Sequence, residues 1–205
     1  MNAATRITFV RHGEVHNPGG VFYGRLPGFG LTPRGRRQAQ AAAQALREPP
    51  PNVLYSSPLL RALQTARLLQ AVDPALPLYI SPLLSEVFCP YDGQPHRVLD
   101  AIHWDVYAGT APPYEQPGDL LARTLRFIAR ARAQHAGRHV VAVTHGDVIA
   151  FTLLWAGGLP VTAGGRREVA RLGVSGGYPA HASRSTLVYR TQDEDERPEV
   201  TYLSG

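Results

Sequence analysis

Two short segments of this 205-residue chain share one local grammar. Phe9-Val10-Arg11-His12-Gly13 and Ala142-Val143-Thr144-His145-Gly146 each place His-Gly just past an apolar, β-branched run. In open parallel sheets ligands sit beyond the carboxyl ends of strands, so neighbouring strands would set His12 and His145 face to face across one pocket. Imidazoles there can act as nucleophile or proton carrier. Arg11, attached to one copy, adds a planar fork of donors that stays charged at any working pH. The chemistry this suits is transfer of an anionic group. The plainer reading is that each histidine merely caps its strand.

Composition narrows the field. All 21 basic residues are arginine and none is lysine, which removes Schiff-base aldolases, pyridoxal enzymes and P-loop NTPases, each built on a lysine. The single cysteine, Cys89, rules out an intrachain disulfide, and no phosphate loop follows it, so packing is its expected role. The formal charge is +5, but the basic residues are scattered. The pairs Arg36-Arg37 and Arg166-Arg167 read as solvated charges, and neither nucleic acid nor membrane is an expected partner. The N-terminal MNAATRITFVRHG lacks a leader's apolar core, and no run reaches the ~18 apolar residues of a membrane span. A soluble, cytoplasmic protein is expected.

The elements that must position the two histidines are legible in outline. Thr5–Val10 reads as a strand. Thr32–Leu46 reads as a helix, with Thr32 at its cap and Pro33 in its first turn, stopped by Pro49-Pro50-Pro51. Asn52–Ser56 is a second strand, and Ser57-Pro58 caps a helix running to about Ala71. Leu76–Ile80 is a third strand. Residues 87–117 are irregular, with a helix expected within His96–Tyr107. An amphipathic helix follows at Gly118–Gln134, then the buried strand His139–Thr144 and the helix Gly146–Ala156. The last fifty or so residues read as antiparallel strands near Val169–Val174, Ser185–Arg190 and Val200–Leu203, with Asp193–Glu196 as a hairpin loop. Strand–helix alternation argues for α/β layers around a largely parallel sheet, in a single domain spanning residues 1–205.

Longer patterns in correct order extend the two histidine blocks. Arg11-His12-Gly13-Glu14 is followed by Asn17. Leu31-Thr32-Pro33-Arg34-Gly35 leads to Gln38-Ala39. Tyr55-Ser56-Ser57-Pro58-Leu59 leads to Arg61-Ala62 and Gln64-Thr65-Ala66. Leu84-Ser85-Glu86 and Thr144-His145-Gly146 complete the set. In these residues the chain resembles the histidine phosphatase superfamily, its phosphoglycerate-mutase-like branch, over roughly residues 5–157. The resemblance implies a three-layer α/β/α sandwich with a mostly parallel central sheet.

The resemblance also implies roles. His12 would be the nucleophile carrying a phosphoryl intermediate, Arg11 and Arg61 the phosphate clamp, and Asn17 a neutral donor beside them. His145, protonated, would stabilise the transferring group. Glu86 would protonate the leaving oxygen and then activate water. Tyr23 and Gly24 resemble the pocket-lining pair, and Glu14 reads as a supporting carboxylate. No cofactor and no metal is implied; His12, Glu14 and His16 do not form the helical H-E-x-x-H zinc motif. His96, His103, His135, His139 and His181 lack partner spacing and read as surface or core residues.

The superfamily includes mutases and phosphatases. Mutases carry an arginine after the acidic residue and paired arginines downstream. Here Val87 follows Glu86, and residues 94–117 hold only Arg97. Hydrolysis of a small phosphorylated metabolite is therefore the expected activity, by a phosphomonoesterase with a homodimer allowed. The alternatives are a phosphoglycerate mutase, a specialised enzyme such as an α-ribazole-phosphate phosphatase, or an inert phospho-ligand binding module. The phosphatase pattern frays at Phe88-Cys89-Pro90-Tyr91-Asp92-Gly93, the stretch expected at the pocket rim, so the pattern does not fix the choice of substrate. Phe88, Tyr91, Trp104 and Tyr107 either wall the pocket or pack the irregular segment onto the sheet.

Overall fold

The computed structural model describes residues 3–205. One six-stranded sheet forms its centre. It comprises β1 (Thr5–Arg11), β2 (Val53–Ser56), β3 (Leu78–Ile80), β4 (His139–Thr144), β5 (Arg184–Tyr189) and β6 (Glu199–Leu203), in the order β3-β2-β4-β1-β5-β6. The first four strands run parallel, and β5 and β6 add an antiparallel edge. Register decides the site. Arg11 at the end of β1 lies opposite Thr144 at the end of β4, so the residues that follow, His12 and His145, leave the sheet side by side. β4 is buried along its whole length, as a central parallel strand covered on both faces must be.

Helices cover both faces. Ile7, Phe9, Val140 and Ala142 point to one core, shared with α4 (Pro117–Gln134) and α5 (Gly146–Ala156). Val10, Leu54, Val141 and Val143 point to the other, shared with α1 (Pro33–Ala45) and α2 (Leu60–Gln70). Successive strand residues face opposite sides, and the alternation in β1 and β4 sorts them between these two layers. The three-layer α/β/α sandwich is thus the architecture.

Helix α1 starts as its sequence dictates: the Thr32 side chain accepts from the Gly35 N–H at 2.9 Å, with Pro33 in the first turn. The α1 start also abuts the loop after β1. A Cβ on Gly13 would collide with the Gly35 backbone, and one on Gly35 with the backbone of Glu14. Two glycines facing each other allow this approach, which fixes the chain immediately after His12.

Two expectations change. Val169–Val174 is not a strand: its first four residues end a 3-10 segment, Gly164–Leu172, closed by Gly173 at φ 84°, and Val174 lies beyond it. The reason lies in spacing: Arg166, Val169 and Leu172 turn inward while the residues between them are exposed, a period of three rather than two. The helix expected within His96–Tyr107 is present as α3 (His96–Ala101), followed by two left-handed residues, His103 at φ 52° and Trp104 at φ 60°. Ser57 does not cap α2; Leu59 holds that position with no side-chain bond, and the Ser57 hydroxyl is used elsewhere.

Candidate active site

The site lies beyond the carboxyl ends of β1, β2 and β4, under a roof formed by residues 96–107 and 164–178. His12, Arg61 and His145 are all buried at its floor. Arg61, in the first turn of α2, reaches across both strand ends. Its Nε donates to His12 Nε2 at 3.2 Å, and its Nη2 lies 3.2 Å from His145 Nδ1 and donates to the Gly24 carbonyl at 2.7 Å. The Tyr23 ring stacks on this guanidinium, 4.7 Å from its carbon.

These bonds define both imidazoles. His12 Nδ1 lies 2.8 Å from the Gly13 carbonyl, an acceptor only, so Nδ1 carries the proton and Nε2 the lone pair. His145 Nε2 lies 2.8 Å from the Ser57 hydroxyl, leaving Nδ1 as acceptor toward Arg61. Burial, followed by the charge of Arg61, holds both histidines well below their ordinary range. The expected protonation of His145 was for the site with phosphate bound; the protein's own groups by themselves favour the neutral imidazole.

Glu86 approaches from the loop after the short 3-10 turn Pro82–Leu84. One carboxylate oxygen stands 3.8 Å from His145 Nδ1 and 4.0 Å from Arg61 Nη2. The other accepts from the Val87 N–H at 2.9 Å. Burial, then the negative charge of Asp147, raises the Glu86 carboxyl above the usual range despite Arg61. A carboxyl raised in this way is suited to holding a proton and giving it up to a leaving group. Arg11 lies on the opposite wall, half-buried, its Nη1 on the Pro179 carbonyl at 2.6 Å and its guanidinium over the Tyr178 ring at 5.0 Å.

Above this floor opens a cavity of about 780 Å³, far larger than a phosphoryl group. Phe22, Tyr23, Val87, Trp104 and Val106 supply apolar wall, and Arg11, Glu86, Asp147 and Arg166 supply charge. Of the four aromatics expected at the rim, Trp104 alone lines the cavity. Tyr107 is buried with its hydroxyl on Asp147, Tyr91 packs against the core, and Phe88 stacks on Tyr114. Cys89 is buried, as expected of a packing residue.

Most of the expected residues converge here, including Arg11, His12, Tyr23, Gly24, Arg61, Glu86 and His145. Asn17 does not line the cavity; its amide closes a loop with Val21, giving 2.8 Å to the Val21 carbonyl and accepting 3.2 Å from its N–H. Glu14 accepts from the Thr32 hydroxyl at 2.8 Å and pairs with Arg34, a support for the loop.

Other residues belong to the site although the sequence reading did not assign them to it. Asp147, buried at the start of α5, accepts from the Tyr107 and Tyr178 hydroxyls and from Arg166 Nη1 at 3.2 Å. Arg166, expected to be a solvated charge, also donates to the Trp104 carbonyl at 2.6 Å and so ties the two roof segments together. His96, His103 and His181 line the cavity rather than lying apart from it. Asp147 had one available signal, an acid directly after His-Gly at a buried helix start.

Comparison with known proteins agrees with this geometry. The family model described as histidine phosphatase superfamily (branch 1) matches residues 7–185. An uncharacterised protein of Mycobacterium tuberculosis is 36% identical over 152 residues, covering 71% of this chain and 75% of that protein. The adenosylcobalamin/alpha-ribazole phosphatase of Escherichia coli K12 is 32% identical over 168 residues, covering 77% of this chain and 82% of its own. Among solved structures, mycobacterial glucosyl-3-phosphoglycerate phosphatase superposes with a TM-score of 0.76 at 29% identity, over 96% of this chain and 97% of that one.

Proposed function

Because the chain belongs to the histidine phosphatase superfamily (branch 1), we propose that it is a metal-independent phosphomonoesterase working through a phosphohistidine on His12. The observation that carries this is the Arg61 guanidinium between His12 Nε2 and His145 Nδ1, with the Glu86 carboxyl 3.8 Å from the latter. In the first step His12 Nε2 attacks phosphorus in line and the bond to the leaving oxygen breaks. Glu86 delivers its proton to that oxygen. In the second step the Glu86 carboxylate takes a proton from water as the water oxygen displaces Nε2, releasing phosphate. Arg11, Arg61 and His145 hold the equatorial oxygens, whose charge must be neutralised in the transition state.

The substrate we propose is a small metabolite with a bulky leaving alcohol. The supporting fact is the size of the cavity beyond the phosphoryl position and its half-apolar wall. Two relatives bear the names of alpha-ribazole and glucosyl-3-phosphoglycerate phosphatases, so phosphoesters of both kinds belong in the first panel. Hydrolysis of p-nitrophenyl phosphate in EDTA, lost in His12→Ala together with an acid-labile phosphoenzyme, is the expected result. Full activity in that variant would remove His12 as nucleophile. Interconversion of 2- and 3-phosphoglycerate faster than phosphate release would replace hydrolysis by a mutase activity.

A further inference from the structure

The turn before β5 is laced onto the strand end that carries His12. The Ala182 N–H donates to the Arg11 carbonyl at 3.0 Å and reaches the His12 carbonyl at 3.4 Å, while the Arg11 N–H donates to the Ser183 carbonyl at 3.1 Å. Ala182 is fully buried and left-handed, at φ 57°. A residue with a Cβ rarely adopts that conformation, and such residues persist where the surroundings demand them. The consequence is the placement of its neighbour. The His181 ring lies 5.7 Å from the His12 ring, tilted by 47°, on the cavity wall.

His181 Nε2 is buried and has no hydrogen-bond partner. Buried polar atoms are normally satisfied, and an orphan calls for a reason. Eight side-chain atoms among the described residues share that condition, and two belong to residues lining the cavity: His181 Nε2 and Arg11 Nε. Both flank His12. The same two residues are joined through the backbone of Ala182.

We propose that His181 is a further catalytic residue, the neutral donor whose Nε2–H holds a phosphoryl oxygen beside Arg11 while His12 attacks phosphorus. Burial, then the charge of Arg11, pushes the His181 imidazole down to about 4, so it enters the reaction uncharged. A neutral donor stabilises the phosphoryl oxygens without adding a cation beside His12.

This assignment rests on the phosphatase reading, and its test separates the two. His181→Ala, His181→Asn and His181→Phe are compared in p-nitrophenyl phosphate hydrolysis, and orthovanadate binding is measured by calorimetry on each. The Ala variant is expected to lose on the order of 10²–10³ in kcat/KM, the usual cost of one transition-state donor. The Phe variant, which keeps a ring but no donor, should lose as much, and Asn should recover at least about tenfold of it. Vanadate affinity should fall in parallel. A Phe variant at the wild-type rate, or unchanged vanadate affinity in His181→Ala, overturns the assignment. A wild type that binds vanadate through His181 yet hydrolyses no phosphoester overturns only the phosphatase reading.

Discussion

Arg61 Nε stands 3.2 Å from His12 Nε2. A guanidinium only donates hydrogen bonds, so this contact holds the lone pair of Nε2 unprotonated before any substrate arrives. One residue therefore both guards the nucleophile and is available to clamp the phosphoryl group. A lysine could not bridge two imidazoles in this way, because its ammonium lacks the fixed fork.

Replacing Arg61 by methionine should lower kcat/KM by about 10³, the loss of a clamp that also orients the nucleophile. The pH profile adds a signed test. Arg61's charge is the second cause, after burial, that lowers the His12 imidazole. Without it His12 titrates at higher pH, and since only neutral His12 attacks, the acid limb of kcat/KM moves up. A limb that stays in place would mean that Arg61 does not act on His12.

Ser57→Ala removes the 2.8 Å partner of His145 Nε2 and leaves that nitrogen without a tether. kcat should fall by on the order of tenfold to a hundredfold, with KM nearly unchanged, because the bond orients a group used in the transition state. Steady-state kinetics on one good substrate decide it. An equal loss in KM alone would make Ser57 a substrate contact instead.

The floor of the site was legible because its residues sit at strand ends and a helix start, where local pattern dictates position. His12 and His145 needed no knowledge of the tertiary fold beyond β1 lying beside β4, whereas Arg61, in the first turn of α2, was assigned by the family resemblance. The roof was not legible, because its order comes from single long-range bonds. Arg166 looks like a solvated pair with Arg167 until Asp147 and the Trp104 carbonyl are beside it. His181 depends on a left-handed alanine that no pattern announces. Val169–Val174 failed as a strand for a related reason: Val169 is fully buried, but on a 3-10 segment that packs against α5, and Val174, also buried, lies beyond the Gly173 that closes it.

Asp147→Asn should act on both stability and pH profile. The negative charge of Asp147 raises the Glu86 carboxyl, second only to burial. Its removal lowers the Glu86 pKa, so the protonated acid is lost sooner as pH rises and the basic limb of kcat/KM moves down. The same change leaves the mostly buried Arg166 without its anionic partner, 3.2 Å away, at a cost of order 3 kcal/mol in denaturant unfolding. A lowered midpoint with an unmoved basic limb would limit Asp147 to holding the roof.

Two helical glycines should respond to alanine in opposite directions. Glycine is worse than alanine by roughly 0.5–1 kcal/mol in a helix interior and by less in the first turn, so Gly118→Ala, at the second residue of α4 with nothing within 4 Å of the new Cβ, should gain no more than about 0.5 kcal/mol. Gly35→Ala in α1 carries the same propensity gain, yet its Cβ would collide with the backbone of Glu14. Backbone cannot rotate away as a flexible side chain does, and overpacking of this kind costs about 1–3 kcal/mol. The net effect should be destabilisation. The displaced segment is the chain directly after His12, so kcat should fall as well, while Gly118→Ala should leave it unchanged. Urea midpoints and kcat on the two variants measure both effects. A stabilised, fully active Gly35→Ala would show that the approach of α1 does not fix the nucleophile.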